Sequence, residues 1–207
     1  MKSIIIIFQI VLLLSSCTKD HLLREFTLSD DELQYIQILS DKELSFVNSS
    51  NGEALVFPAA PISTITSRQL NGVNTQNYYE YQISTLILGS SNITLYISLN
   101  SLTELHSNKP YLRIEWYHTV GDFPGVNGGA YIPMDTSDFL ANITLYDSLT
   151  VINKLYHNVY KGQMEIFGKD TIFEPTTYPI EYFYNKQYGI IKFNMSDSTS
   201  LELLNIE

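Results

Sequence analysis

The chain has one cysteine among 207 residues, which leaves no material for a disulfide scaffold or a cysteine-based zinc site. Basic residues are scarce too: 12 Lys and Arg stand against 22 Asp and Glu, a formal charge of −10. Proteins that grip a phosphate backbone display clustered Lys and Arg, so no nucleic-acid partner is expected. Charged side chains of both signs make up 16% of the chain, against about a quarter in ordinary globular domains. No G-x-S-x-G elbow, phosphate-binding glycine loop or dinucleotide fingerprint occurs. The histidines, His21, His106, His118 and His157, share no metal-ligand spacing, and the EF-hand pattern is missing. Neither a cofactor nor a metal is therefore expected. What the chain holds in plenty is apolar: 44% hydrophobic residues and 13% aromatics, including 15 Tyr and 10 Phe. That load argues against intrinsic disorder, and the length suits one domain.

Lys2 opens the chain with a positive charge, and Ile4 to Leu14 form an apolar run broken only by Gln9. A helix of that length spans only about half of a bilayer core, which makes it a signal-peptide core and not a transmembrane helix. The run ends in Leu14-Ser15-Ser16-Cys17, which resembles the bacterial lipobox. The resemblance implies cleavage before Cys17 and lipid attachment to its thiol, so that the protein meets the membrane through lipidated Cys17. Several acyl chains at ~0.8 kcal/mol per buried CH₂ hold a protein stably where one chain does not. Thr18 follows the cysteine where Asp would favour the inner membrane, and Lys19-Asp20 resembles a fragment of a Bacteroidota surface-export signal that His21 interrupts. The expected location is the outer membrane, on either its periplasmic or its cell-surface face.

The mature part divides into a lipidated tether over 17–28 and a single domain over 29–207, with 1–16 as the signal peptide. Ser29 and Glu32 form an S-x-x-E capping box ahead of Leu33 and Ile36, which predicts a short helix over 30–38. From Leu44 onward alternation dominates, the signature of strands with one wet face. Strands are predicted over 44–48 and 54–57, joined by Ser49-Ser50-Asn51-Gly52 as a hairpin turn. Others are predicted over 79–87, 93–99, 111–117, 142–147, 150–160, 180–184, 189–195 and 200–206. The fold class is mainly β, an antiparallel β-sandwich or partly open barrel with one short N-terminal helix.

Tyr156-His157-Asn158-Val159-Tyr160, followed by Tyr182-Phe183-Tyr184 and Tyr188-Gly189-Ile190-Ile191-Lys192-Phe193, resembles a strand and hairpin pattern in small outer-membrane lipoproteins of Bacteroidota. The resemblance covers about the last 55 residues and implies a hairpin but no activity. In physical terms Gly189 is the residue that tolerates positive φ in a turn, with Ile191 and Phe193 facing the core.

The segment from His118 to Asp138 contains Gly121, Pro124, Gly125, Gly128, Gly129 and Pro133 and shows no periodicity. It reads as a long loop, and such loops in compact domains are often functional. With Trp116 on the strand before it, the segment offers Asp122, Phe123, Tyr131 and Asp135 as a binding site. Aromatic faces would stack on sugars while carboxylates accept hydroxyl hydrogen bonds. Tyr78, Tyr79, Tyr81, Tyr96, Tyr111 and Tyr117 lie on neighbouring predicted strands, where tyrosine suits a sheet and, where it faces outward, an interface. The function expected is a non-enzymatic, lipid-anchored module binding a glycan or a protein of the envelope. Two alternatives stand beside it: a structural or assembly accessory of an envelope complex, and a carboxylate-dependent hydrolase using an unrecognised pair of acids.

Overall fold

The computed structural model describes residues 20–70, 77–89, 93–101, 110–120, 123–133, 143–167 and 177–207. In chain order the elements are β1 (His21–Phe26), α1 (Asp30–Gln37), β2 (Glu43–Asn48), β3 (Ala54–Pro58), β4 (Ser63–Leu70), β5 (Asn77–Gly89), β6 (Ile93–Asn100), β7 (Tyr111–Val120), β8 (Phe123–Pro133), β9 (Thr144–Val151), β10 (Lys154–Gln163), β11 (Glu165–Phe167), β12 (Pro179–Asn185), β13 (Gly189–Met195) and β14 (Ser200–Ile206). Seven strands form sheet I, where β4 pairs with one side of β5, β1 pairs with the start of β5, and β6, β7, β8 and β11 follow in order. The other seven form sheet II in the order β3-β2-β14-β13-β12-β10-β9, antiparallel throughout. The two sheets make a β-sandwich and not a closed barrel.

The core follows from the strand period. Leu95, Ile97 and Leu99 of β6 lie opposite Trp116, Ile114 and Leu112 of β7. The rows continue through Leu88 and Leu86 of β5 on one side and Ala130 and Ile132 of β8 on the other. All of these residues are buried. From sheet II, Phe57 and Phe193 approach the indole of Trp116 at ring-centroid distances of 6.5 and 5.4 Å. Phe46 meets Phe57 edge-on at 5.8 Å. Such tilted and edge-to-face pairs add about 0.5–1.5 kcal/mol each beyond the area they bury.

At one edge the chain crosses from sheet II to sheet I through Ala59 and Ala60. Ala59 bridges to Leu88, and the Ala60 N–H donates to the Ile87 carbonyl at 2.8 Å. At the other edge buried Met164 carries β10 into β11, its N–H donating to the Ile180 carbonyl at 2.9 Å.

The helix forms as its capping box requires. The Ser29 N–H donates to Glu32 Oε2 at 2.7 Å, and the Glu32 N–H donates back to Ser29 Oγ at 3.3 Å. Ile36 and Leu39 are buried, and Leu39 rests on the turn before β13. A Cβ at Gly189 would lie 2.7 Å from Leu39 Cδ1, and Gly189 has φ +73°, so both the contact and the backbone require glycine there. Ser29→Ala is expected to cost about 1 kcal/mol, read as a fall of about 2–4 °C in the thermal melt, with Ser29→Asp close to wild type.

Three expectations need correction. Part of the supposed tether is β1, which runs parallel to the start of β5. Ser101 fastens it, accepting from the Gln82 N–H at 2.8 Å and donating to the Phe26 carbonyl at 2.7 Å. The Leu22-Leu23 pair hides the strand period because the register shifts between Leu22 and Arg24. The supposed loop over 118–138 is largely the β7–β8 hairpin. Its glycines serve pairing: Gly128 and Gly129 sit opposite Trp116 and Glu115. Lastly, β4 and β11 belong to no predicted strand, and β9 and β10 turn at Ile152–Asn153, beyond the turn position read from the sequence.

The outer face of sheet II carries a cross-strand polar network around Glu181. One carboxylate oxygen accepts Lys161 Nζ at 2.7 Å and Gln163 Nε2 at 3.0 Å, and the other accepts Asn194 Nδ2 at 2.7 Å. Burial alone would raise the Glu181 pKa, but the hydrogen bonds from Lys161 and Asn194 more than offset it and hold the carboxyl below its usual 4.5. A depressed folded-state value adds stability above the unfolded value and loses it as pH falls through the folded one. The thermal melt should therefore decline as pH is lowered below about 4.5, and Glu181→Gln should flatten that acid limb. An equally steep limb in the variant would assign acid sensitivity elsewhere.

Candidate functional site

The strands of both sheets end around a cavity at one end of the sandwich. Asn48 closes β2, Ile93 opens β6, Met195 closes β13, and Trp116 and His118 lie near the end of β7. With Leu55, Thr177, Asp197 and Leu201 they line about 300 Å³, the lower end of the range of small-ligand pockets. Leu39, just beyond helix α1, sits against the other end of β13, at Gly189.

Each polar group has a distinct state. Trp116 is 1% exposed and its buried indole Nε1–H has no hydrogen-bond partner. An indole N–H is a donor only, and a buried donor left dry costs about 1–3 kcal/mol. His118 follows two residues on, so it faces the same way. Burial lowers its pKa from the usual 6.5, which leaves a neutral imidazole at pH 7. At the rim, Asp197 Oδ1 accepts the Thr199 N–H and hydroxyl at 3.0 and 2.6 Å, and Oδ2 accepts Thr177 Oγ1 at 3.0 Å. Those bonds, the Thr199 hydroxyl first, pull its pKa down. The cavity lining thus combines the indole of Trp116, a neutral imidazole and an ionised carboxylate with apolar walls. Among the described residues it offers one carboxylate, Asp197, where the paired-acid mechanism of glycoside hydrolysis uses two. Among the described residues no group of three His, Cys, Asp or Glu could hold a metal ion.

Of the residues expected to bind together, the structure describes the side chains of Trp116 and Tyr131, which lie on opposite faces of sheet I. Trp116 lines the cavity, yet it is 1% exposed and its ring packs against Phe57 and Phe193, so it presents no open stacking face. Tyr131 lies opposite Arg113, on the other face of sheet I. The Phe123 backbone pairs with Val120 beside the hairpin turn, while the Phe123 side chain, Asp122 and Asp135 lie outside the described residues, as does Cys17.

The face that holds Tyr131 is a second polar and aromatic surface. Arg113 Nη2 pairs with Glu115 Oε1 at 2.6 Å, and Tyr117 OH donates to the same oxygen at 3.0 Å. Tyr96 packs edge-on against Tyr117 at 5.1 Å, and Tyr131 stands 5.5 Å from Tyr111 with the Arg113 guanidinium 5.6 Å above its ring. Burial and then the Glu115 hydrogen bond raise the Tyr117 pKa, so its phenol stays protonated and donating.

His118, Asp197, Thr177 and Asn48 were not singled out for this site from the sequence. Only the parity of His118 with Trp116 on one strand offered a signal, because the other partners come from turns far apart in the chain. The fold and this cavity define a β-sandwich with a ligand-sized pocket at one end. The chain matches no protein-family model, no curated protein and no solved structure.

Proposed function

We propose that this protein is a lipid-anchored, non-enzymatic binding module of the outer membrane, which takes a sugar-sized polar group into the end cavity. The single observation that carries the binding role is a buried Trp116 N–H without a partner, on a side chain that lines about 300 Å³ of space. Folded proteins pair nearly all their buried donors, and a ligand carbonyl or hydroxyl oxygen would complete this one. Asp197 would accept a hydroxyl at the rim, and Leu55, Ile93, Met195 and Leu201 would cover the apolar face of a sugar ring. The lipobox supports the anchor, with Cys17 as the lipid attachment point.

The test is titration of the full-length protein with a panel of neutral and acidic mono- and disaccharides, followed by ligand-detected NMR. Trp116→Phe removes the donor and keeps an aromatic in place. Its expected effect is about 1 kcal/mol, near fivefold in affinity. Equal binding by wild type and variant, or saturation by no sugar in the panel, would sink the assignment. For the anchor, labelled fatty acid should appear on the wild type and vanish from Cys17→Ser.

A protein of the envelope is the second reading, favoured by the tyrosines around Arg113 and Glu115. Tyr and Arg are the residues that most often dominate interface energetics. A stoichiometric partner lost on Arg113→Ala, with sugar binding retained, would select it.

A further inference from the structure

We infer that the corner of sheet I formed by β1, the start of β5 and the end of β4 seats the protein against the bilayer, with the end cavity pointing away from it. This inference rests on the proposed lipidation of Cys17. Three observations converge on the corner. First, Leu22 of β1 and Leu70 of β4 both lie opposite Tyr78 of β5, on one face and in one row. Leu22, Leu23 and Leu70 are 47%, 45% and 61% exposed, a cluster of large apolar side chains where strand β4 is exposed along most of its length. Second, the corner carries groups suited to a headgroup layer. The Arg68 guanidinium lies 4.6 Å over the Tyr78 ring and the Arg24 guanidinium 4.6 Å over Phe26. Amphipathic rings and long cationic side chains sit at that depth, with their apolar parts inward and their polar ends in water. Arg24 and Arg68 balance Glu25 and Glu80 here, so the corner escapes the charge of −10 that the whole chain carries.

Third, covalent reach fixes the neighbourhood. Cys17 lies four positions before His21 at the start of β1, which at full extension is at most ~14 Å. A lipid on Cys17 therefore holds the bilayer surface close to this corner. Strand β5 runs from the corner to Gly89, which pairs with Thr94 beside the cavity residue Ile93. At ~3.3 Å per residue its thirteen residues place the cavity about 40 Å from the corner. The occupant is a lipid surface: the leucines enter the boundary between headgroups and acyl chains, and the cavity faces the aqueous space beyond.

The experiment uses the full chain, isolated from membranes and reconstituted into vesicles of phosphatidylethanolamine and phosphatidylglycerol. Acylation consumes the only native thiol, so Leu70→Cys and Asn51→Cys each present one site for an environment-sensitive fluorophore. Residue 51 is exposed in the β2–β3 turn near the cavity. On reconstitution the label at 70 should shift to the blue and gain at least twofold in emission, and the label at 51 should not change. An acyl mass on Cys17 together with an unchanged label at 70 overturns the membrane seat and leaves the anchor standing. A response at 51 instead of 70 reverses the orientation and overturns the inference in the same way. A Cys17 without acyl mass, which would take up a second fluorophore, overturns the anchor and the seat together.

Discussion

Replacing Gly162 by alanine is expected to destabilise the protein by about 3 kcal/mol, the upper part of the range for overpacked cores. One methyl group has this effect because of what stands opposite. Gly162 of β10 pairs directly with Tyr182 of β12, and the Tyr182 ring folds back over the glycine. A Cβ at 162 would fall on that ring, 2.6 Å from Cε1 and closer still to the hydroxyl. Tyr182 is 1% exposed and has no free volume to retreat into, since interiors are packed like organic crystals. Burial raises the Tyr182 pKa far above the usual 10, so the phenol stays neutral and the effect should not vary with pH between 5 and 9. For a chain of this size the loss corresponds to a fall of about 6–12 °C in melting temperature. Because the hydroxyl is the nearest obstacle, Tyr182→Phe in the Gly162→Ala background should recover part of the loss, a coupling that a double-mutant cycle reads directly. A single variant melting within about 2 °C of wild type would show that the ring can move aside.

Gly162 also marks where sequence reading stops. A glycine inside an alternating strand signals a close approach but does not name the side chain that approaches. Local signals with a local cause were legible. The Ser29–Glu32 capping box is satisfied by hydrogen bonds within one helical turn. Asn51-Gly52 makes the β2–β3 turn with Gly52 at φ +71°, and Gly189 has φ +73° as its turn position required. Leu95, Ile97 and Leu99 face the core because a two-residue period leaves them no other side. Elements whose cause lies elsewhere in the chain were illegible. Strand β1 exists because β5 offers an edge and Ser101 closes the gap; its own residues carry a bulge that erases the period. Strand β8 looks like a loop because its glycines answer to Trp116 and Glu115 across the ladder. The end cavity collects residues from β2, β3, β6, β7, β13 and β14, with Thr177 ahead of β12 and Asp197 in the β13–β14 turn, and no spacing within one segment could announce that set. Even so, alternation with Leu112 and Ile114 puts Trp116 on the core face, where it is buried and cannot stack on a sugar.

That position makes Trp116→Ala the substitution with the largest expected effect, a loss of about 3–5 kcal/mol. The indole is the contact through which sheet I meets Phe57 and Phe193 of sheet II. Its removal leaves a void that these rings cannot fill together, because each is also fixed against Phe46, at 5.8 and 6.2 Å. Gly128 beside it brings no side chain to fill the space. Trp116→Phe keeps most of the hydrophobic contact and removes a donor that is unpartnered in the free protein, so the two terms oppose each other and the melting temperature should stay much nearer wild type. The pair of variants thus separates two roles of one residue. Chemical denaturation should show a large loss for the alanine variant and a small one for the phenylalanine variant, while sugar affinity falls in the phenylalanine variant with the fold intact. If alanine cost less than about 1.5 kcal/mol, the aromatic cluster would not be what joins the sheets. If phenylalanine were as damaging as alanine, the indole N–H would belong to the core, and the cavity would lose the one group that marks it as a site.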